Sequence, residues 1–170
     1  SLLWSSDQKG EFSAADELNT FFTPEPTVFG DIAINLIATS QGAVCSESST
    51  SFIINVKEKI EVDAGLNLAA CENEPVQIDA IVSGNYGSLQ WNTSGEGVLI
   101  NPDQDQVIYQ PETTETGVIT FQLTASDESG LCPAVEDEVT VNFNPAPVFD
   151  LQAAPFWCEE DQVLIEGKVS

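Results

Sequence analysis

The run Gly117-Val118-Ile119-Thr120-Phe121-Gln122-Leu123-Thr124-Ala125 alternates apolar and polar side chains from Ile119 onward. Alternation of this kind, carried by β-branched and aromatic residues, is typical of a strand with one buried face. The pattern predicts a long strand here. Its apolar face, with Ile119, Phe121 and Leu123, is expected to belong to a hydrophobic core.

The same pattern occurs 87 positions earlier in the chain. Gly30 matches Gly117, and the apolar series Ile32, Leu36 and Ala38 matches Ile119, Leu123 and Ala125. The match extends over the whole chain, with these further pairs: Trp4 and Trp91, Pro24 and Pro111, Cys45 and Cys132, Cys71 and Cys158. A fixed period means that one folded unit is copied in tandem. Tandem units of this size more often extend, space or display something than catalyse a reaction.

Alternating runs and turn signals predict about seven strands in one period, near residues 60–65, 75–82, 88–92, 97–101, 106–110, 117–126 and 138–144. No long amphipathic helix is expected. Seven short strands in fewer than 90 residues, with a tryptophan on the third, are typical of an immunoglobulin-like sandwich. The predicted fold is all-β, with tandem immunoglobulin-like β-sandwich repeats of 87 residues.

The period divides the chain into three predicted pieces. Residues 1–57 form the C-terminal two-thirds of one repeat, residues 58–144 a complete repeat, and residues 145–170 the N-terminal start of a third. We expect the chain to be a window on a longer polypeptide. The incomplete first piece should expose an apolar face and be stable only beside material outside this window.

The charge of the chain excludes several kinds of partner. Four basic residues against 28 acidic ones give a net charge of −24, and there is no histidine. Nucleic-acid binding is disfavoured because a phosphate backbone requires a basic face. No apolar run approaches the roughly 20 residues that span a bilayer, so no direct membrane insertion is expected in this window. High acidity suits a salty exterior, where ions screen the self-repulsion.

Trp4 and Trp91 occupy the same position in two copies. They could form a platform on which sugars stack, or they could be the buried third-strand tryptophan of a sandwich core. The core interpretation is favoured. Trp157 has Ala70 as its counterpart and lies outside the shared core.

Candidate groups for metal binding or catalysis are sparse. Asn101, Asp103 and Asp105 place oxygen ligands at alternate positions, as a calcium loop does, but the pattern lacks the central glycine and the distal glutamate. Calcium is therefore a weak candidate beside a solvated loop, and no other cofactor is expected. Without histidine no Ser–His–Asp or Cys–His set can form, and no carboxylate pair stands out. The chain is not expected to be an enzyme.

Several motifs together resemble one known repeat type. They are the segments Ser94-Gly95-Glu96-Gly97 after Trp91, Ile108-Tyr109-Gln110-Pro111, the strand quoted above followed by Cys132, Val62-Asp63-Ala64-Gly65, and Ala70-Cys71-Glu72. This combination is similar to the Ig-like, PKD-like repeats of giant Bacteroidota cell-surface adhesins, including the gliding-motility type. The third copy departs from it, with Phe149-Asp150-Leu151-Gln152 in place of Val62-Asp63-Ala64-Gly65.

The resemblance implies a secreted adhesin at the bacterial outer surface, associated with the outer membrane and exported by the type IX system. Neighbouring repeats of the same chain, surface glycans and other cell-surface proteins are the partners it implies. The expected function is a structural and adhesive stalk segment that spaces and displays binding regions. Two alternatives remain: an accessory carbohydrate-binding or spacer module of a secreted glycan-degrading enzyme, and a haloarchaeal surface-layer repeat.

Each period has cysteines at two positions. In an extracellular chain this favours a disulfide over buried free thiols. A Cys71–Cys132 bond stays within one repeat, and we lean to it because both cysteines recur in each repeat. A plain immunoglobulin topology places these residues at opposite poles, beyond the Cα separation of about 7 Å that a disulfide spans. Bonds between adjacent repeats fit that geometry better, and Cys45–Cys71 fits it worst.

Overall fold

A computed structural model describes residues 1–40, 47–152 and 166–169. Within these ranges the chain forms strands and turns, with no helix. It divides into two compact units. Unit 1 comprises Ser1–Glu61 with Ser83–Tyr86, and unit 2 comprises Val62–Val82 with Gly87–Ser170.

Five strands lie wholly within the described part of unit 1. They are β1 (Leu2–Ser6), β2 (Gly10–Phe12), β3 (Phe22–Pro24), β4 (Gly30–Thr39) and β5 (Glu47–Val56). Strands β1, β4 and β5 form an antiparallel sheet with β4 in the centre, and β2 pairs with β3. In the central strand, Ile32 and Ile34 are buried.

The chain continues through eleven further described strands. They are β6 (Glu61–Asp63), β7 (Leu68–Cys71), β8 (Val76–Asp79), β9 (Ile81–Ser83), β10 (Ser88–Thr93), β11 (Val98–Ile100), β12 (Gln106–Gln110), β13 (Gly117–Ser126), β14 (Val135–Asn144), β15 (Phe149–Gln152) and β16 (Glu166–Val169). One sheet of unit 2 has the order β10-β13-β14-β7, and the other has the order β11-β12-β8. Two short ladders join β6 to β9 and β15 to β16.

Unit 2 is an immunoglobulin-like sandwich. Its β10, β13 and β14 correspond to the third, sixth and seventh strands of that fold, and β8, β12 and β11 form the opposing sheet. Strand β7 joins the first sheet through a parallel ladder with β14, in which Leu68 lies opposite Val141 and Cys71 opposite Asn144. The predicted all-β, immunoglobulin-like sandwich class is confirmed.

The core of unit 2 lies between the inner faces of its two sheets. Ile119, Phe121, Leu123 and Ala125 of β13 are buried, whereas the alternate threonine and glutamine side chains are partly exposed. The Tyr109 ring of β12 meets the Phe121 ring edge-on, with their centroids 4.9 Å apart. Burial of a large apolar side chain contributes about 1.5–3 kcal/mol to stability, so this one strand carries much of the unit's hydrophobic stabilisation.

Corresponding ladders of the two units lie at equivalent positions of the predicted period. In unit 1 Trp4 lies opposite Leu36, and in unit 2 Trp91 lies opposite Leu123. Strands β4 and β13 begin and end 87 positions apart. Each opens with a glycine at φ +94°, a positive-φ conformation that favours glycine because a Cβ atom would crowd the residue's own carbonyl group.

The strand bounds differ from the sequence-based prediction in three places. Strand β7, over Leu68–Cys71, was not predicted, because its side chains show no alternation and backbone pairing with β14 holds it in place. The expected single strand near 75–82 is two strands, β8 and β9, with Ala80 between them. Strand β14 begins at Val135 rather than near residue 138, since it pairs along most of β13.

Candidate functional site

The described part of unit 1 contains an apolar cleft with a volume of about 700 Å³. Its walls include aromatic and aliphatic side chains from all five strands or their connections, among them Trp4, Phe12, Phe22, Ile34, Phe52 and Ile54. The Trp4 and Phe52 rings pack edge to face with centroids 6.5 Å apart, and the Phe12 and Phe22 centroids are 4.8 Å apart. We refer to this surface as the unit 1 cleft.

The same positions are closed in unit 2. Val139 and Val141, the counterparts of Phe52 and Ile54, are fully buried, whereas Phe52 retains 52% of its exposure. The difference lies in the strands that cover them. In unit 2, β7 pairs with the edge of β14 and β8 pairs with the edge of β12.

Unit 1 has neither covering strand among its described residues. Among the strands that the structure describes, β5 is the last of its sheet and β3 pairs with β2 alone. Both edges therefore present backbone N–H and C=O groups beside an apolar surface, which is the arrangement to which a further strand can add.

Each unit fixes its tryptophan with the same two hydrogen bonds. In unit 2 the Trp91 backbone N–H donates to the Pro102 carbonyl at 2.7 Å, and the indole N–H donates to the Gln104 carbonyl at 3.0 Å. In unit 1 the corresponding Trp4 groups donate to the carbonyls of Ala15 and Glu17 at 2.7 and 2.8 Å. A buried indole requires such a partner for its polar N–H. The loop after β11 therefore holds Trp91 in place, and the loop after β2 holds Trp4.

Trp91 is 1% exposed and lies in the core of unit 2, so it has no face for a sugar ring. Trp4 is only half buried, because its side chain borders the unit 1 cleft. The core residues Ile119, Phe121 and Leu123 lie where the alternation places them. Trp157 lies outside the described residues.

The weak calcium candidate belongs to the loop that holds Trp91. Asn101, Asp103 and Asp105 are all exposed, and Asn101 has a positive φ of 59°. The backbone carbonyls of this loop point inward: that of Asp105 accepts from the Ala80 N–H at 2.9 Å. In the part of the chain that the structure describes, no three acidic, cysteine or histidine side chains cluster to hold a metal. The geometry shows that the carbonyls of this loop stabilise the core around Trp91. Calcium binding stays a prediction.

The predicted Cys71–Cys132 disulfide does not form in this structure. Both cysteines are free; Cys71 is exposed and Cys132 is partly buried. Cys71 ends β7 opposite Asn144, whereas Cys132 precedes the first residue of β14, Val135. The length of β14 separates them, and at about 3.3 Å per residue a ten-residue strand spans roughly 30 Å. The predicted preference for a Cys71–Cys132 bond is therefore wrong, because a disulfide cannot join two residues at opposite poles of the sandwich. Cys45 and Cys158 lie outside the described residues.

A polar network that the sequence analysis missed closes one end of the unit 2 sandwich. The Tyr109 hydroxyl donates to Glu115 Oε2 at 2.6 Å and accepts from the Gly97 N–H at 2.8 Å. The two Glu115 oxygens also accept from the N–H groups of Glu96 at 2.8 Å and Glu112 at 3.1 Å. We refer to these residues as the Glu115 corner. The sequence feature that could have indicated this network is Tyr109 itself, because a tyrosine that faces the core needs a hydrogen-bond partner for its hydroxyl.

The Glu115 corner shifts the ionisation of both its acids. Burial raises the pKa of Tyr109 to about 12, and the hydrogen bond to Glu115 acts in the same direction. Burial also opposes ionisation of Glu115, but hydrogen bonds from Tyr109 and from the backbone N–H groups of Glu96 and Glu112 outweigh it, so the pKa of Glu115 lies below its usual value. Unit 1 has Phe22 and Val28 at these two positions and lacks the network.

No helix among the described residues is long and apolar enough to span a membrane.

Comparison with protein-family models finds no match, and neither does comparison with curated proteins. Among solved structures, the chain is similar to one described as "Protocadherin gammaB7 EC3-6 cis-dimer structure", with 17% identity and a TM-score of 0.43. The match covers 89% of this chain and 43% of that chain, so this chain spans less than half the length of that structure. The fold assignment rests on the strand order and core described above.

Substitutions of Asn101 distinguish a structural loop from a calcium loop. Asn101→Gly preserves the left-handed backbone and removes the amide oxygen, so it should leave the free energy of unfolding near the wild-type value. Asn101→Val should lower it by about 1–2 kcal/mol, because a β-branched residue is strained at positive φ. Urea denaturation with and without calcium measures both variants. A calcium-dependent stabilisation that Asn101→Gly abolishes would contradict the structural account.

The Glu115 corner predicts a loss of stability in alkali. Tyr109 holds its proton more tightly in the folded unit than in the unfolded chain, so its contribution is complete below pH 10 and is lost as the pH rises toward about 12. Tyr109→Phe should lower the free energy of unfolding by about 1–3 kcal/mol at neutral pH, because Glu115 and Gly97 lose a partner.

The alkaline test follows urea unfolding from pH 8 to about 12 in wild type, Tyr109→Phe and the exposed-site control Tyr86→Phe. Wild type and Tyr86→Phe should lose stability more steeply with pH than Tyr109→Phe does. Equal slopes for all three proteins would show that Tyr109 does not carry the effect.

Proposed function

We propose that this chain is a structural and adhesive stalk segment of a large secreted bacterial cell-surface adhesin. In this role it spaces and displays binding regions that lie elsewhere in the parent polypeptide. The proposal includes an extracellular location at the outer membrane and export by the type IX system, as the motif resemblance implies. It assigns the chain no catalytic activity and no required cofactor.

The parallel ladder between β7 and β14 is the observation that carries the proposal. Strand β7 lies near the start of unit 2, and β14 is the last strand of its sandwich. Four residue pairs join them, from Leu68–Val141 to Cys71–Asn144. Tension on the two ends of the unit pulls β7 and β14 in opposite directions along their axes. The hydrogen bonds of a parallel ladder are evenly spaced, so they resist that shear together rather than one after another. Resistance to tension is what a stalk requires.

The distribution of polar and apolar surface supports the same role. Unit 2 has its own core, so it can act as an independent module. The net charge of −24 keeps neighbouring chains and modules apart in solution. The buried position of Trp91 removes the most suitable platform for sugar stacking, which favours the stalk over the carbohydrate-binding alternative. Surface glycans and other cell-surface proteins are proposed partners of the parent, and neighbouring repeats are proposed partners of this segment.

The proposal predicts what the native polypeptide contains. Brief protease treatment of intact source cells should release peptides of this sequence, because the segment is displayed outside the cell. A reducing, denaturing gel with peptide mapping should then show a parent many times larger than 18.3 kDa, made mostly of 87-residue repeats. A cytosolic protein of known abundance is the control for cell lysis. A parent of modest size that carries a catalytic domain would contradict the proposal and favour an enzyme accessory.

A further inference from the structure

Strand β11 lies at the edge of its sheet in unit 2. It pairs with β12 on one side, and among the described residues no hydrogen bond joins its backbone to any other strand or loop. Successive residues of an antiparallel ladder direct their backbone groups alternately toward the partner strand and away from it. The N–H and C=O groups that point away from β12 are therefore open to a further strand. We refer to this side of the strand as the β11 edge.

The outward face of β11 is apolar. Val98 retains 60% of its exposure and Ile100 retains 46%, whereas Leu99 between them packs against the core. Ile100 lies opposite Ile108 of β12, which is also partly exposed, so three aliphatic side chains adjoin on one face of the sheet. An extended segment beside β11 would place every second side chain on this same face.

The first repeat has polar residues at the same positions. Glu11 and Ser13 stand where unit 2 has Val98 and Ile100, and both are exposed. A charged residue on an edge strand discourages pairing with other chains. The sandwich fold therefore does not require apolar side chains at this place, and the difference between the two repeats favours a binding role for the β11 edge.

The charged side chains that flank β11 in the chain are acidic. Glu96 precedes the strand, Asp103 and Asp105 follow it, and all three are exposed. Residues 60–144, which include both sheets of unit 2, contain no lysine, arginine or histidine. A second copy of this unit would bring further carboxylates to the edge, whereas a basic segment would neutralise those already there. The charge therefore favours a basic partner over a second copy of the chain.

We propose that the β11 edge binds an extended basic peptide segment by strand addition. The backbone of the segment pairs with the groups of β11 that point away from β12, and its alternate apolar side chains pack beside Val98 and Ile100. Basic residues near its two ends pair with Glu96 at one end of the strand and with Asp103 at the other. Backbone pairing attracts any extended chain, and the acidic flanks select a basic one. This inference does not rest on the proposed function, because the edge and its charges belong to unit 2 alone.

Fluorescence anisotropy of a labelled probe peptide, titrated with the full chain, tests the proposal. The probe Lys-Val-Thr-Val-Thr-Val-Lys, blocked at both ends, has alternate apolar residues and basic ends. It should bind at least about tenfold more tightly than the same peptide with glutamate at both ends, which the acidic flanks repel. Methylation of the backbone nitrogens of the basic probe removes the donors that strand addition needs and leaves its charge unchanged. This change should also weaken binding by at least about tenfold.

Substitutions in unit 2 test whether the probe binds at β11. Val98→Lys and Ile100→Lys each remove an apolar contact and place a positive charge at the edge, so each should weaken binding of the basic probe by at least about tenfold. Val118→Lys is the matched control, because Val118 is 67% exposed on β13, in the other sheet, and the change in net charge is the same. The control should bind within about twofold of wild type, since salt screens distant charges. Thermal denaturation checks that all three variants remain folded.

Several results would overturn the proposal. One is a wild-type chain that does not bind the basic probe. Equal binding of the methylated probe, or equal weakening by Val98→Lys and Val118→Lys, would show that charge alone attracts the peptide and that β11 is not its site. Sedimentation velocity without the probe tests the other occupant of the edge. Self-association that Val98→Lys abolishes would show that a second copy of the chain, rather than a basic peptide, pairs with β11.

Discussion

The alternate burial of β13 side chains is the constraint on which the rest of unit 2 depends. Ile119, Phe121 and Leu123 point from the centre of one sheet toward the other, and Trp91 and Val139 flank them on the neighbouring strands. A shift of one residue in the register would turn this whole set toward solvent. The core therefore fixes the pairing of β10, β13 and β14, and the opposing sheet packs on the surface that results.

A sandwich core is only as complete as the strands that cover it. Unit 1 repeats the central ladder of unit 2 at equivalent positions, yet its Phe52 and Ile54 border an open cleft. In unit 2 the corresponding positions are covered by β7 and β8, although each of these strands is only four residues long. The contrast shows that strand pairing sets the architecture, whereas the covering strands determine how much of the apolar face leaves water.

The features that the sequence predicted well are those that repeat and alternate. The long strand β13, the third-strand tryptophans and the sandwich class follow from side-chain periodicity, which reports burial directly. The sequence analysis missed strand β7 because Leu68–Cys71 is held by backbone pairing, which leaves no side-chain pattern. The Glu115 corner escaped because it joins a buried tyrosine to a loop carboxylate, and unit 1 has Phe22 and Val28 instead. A feature present in one repeat leaves no periodic signal.

The central claim is that the covering strands, more than the central ladder, decide the stability of each unit. Amide hydrogen exchange of the full chain compares β4 with β13 residue by residue at matched positions. The account predicts that the interior amides of β13 exchange at least about tenfold more slowly than those of β4, because the open unit unfolds locally more often. Equal protection of the two strands would contradict it and show that the central ladder alone is sufficient.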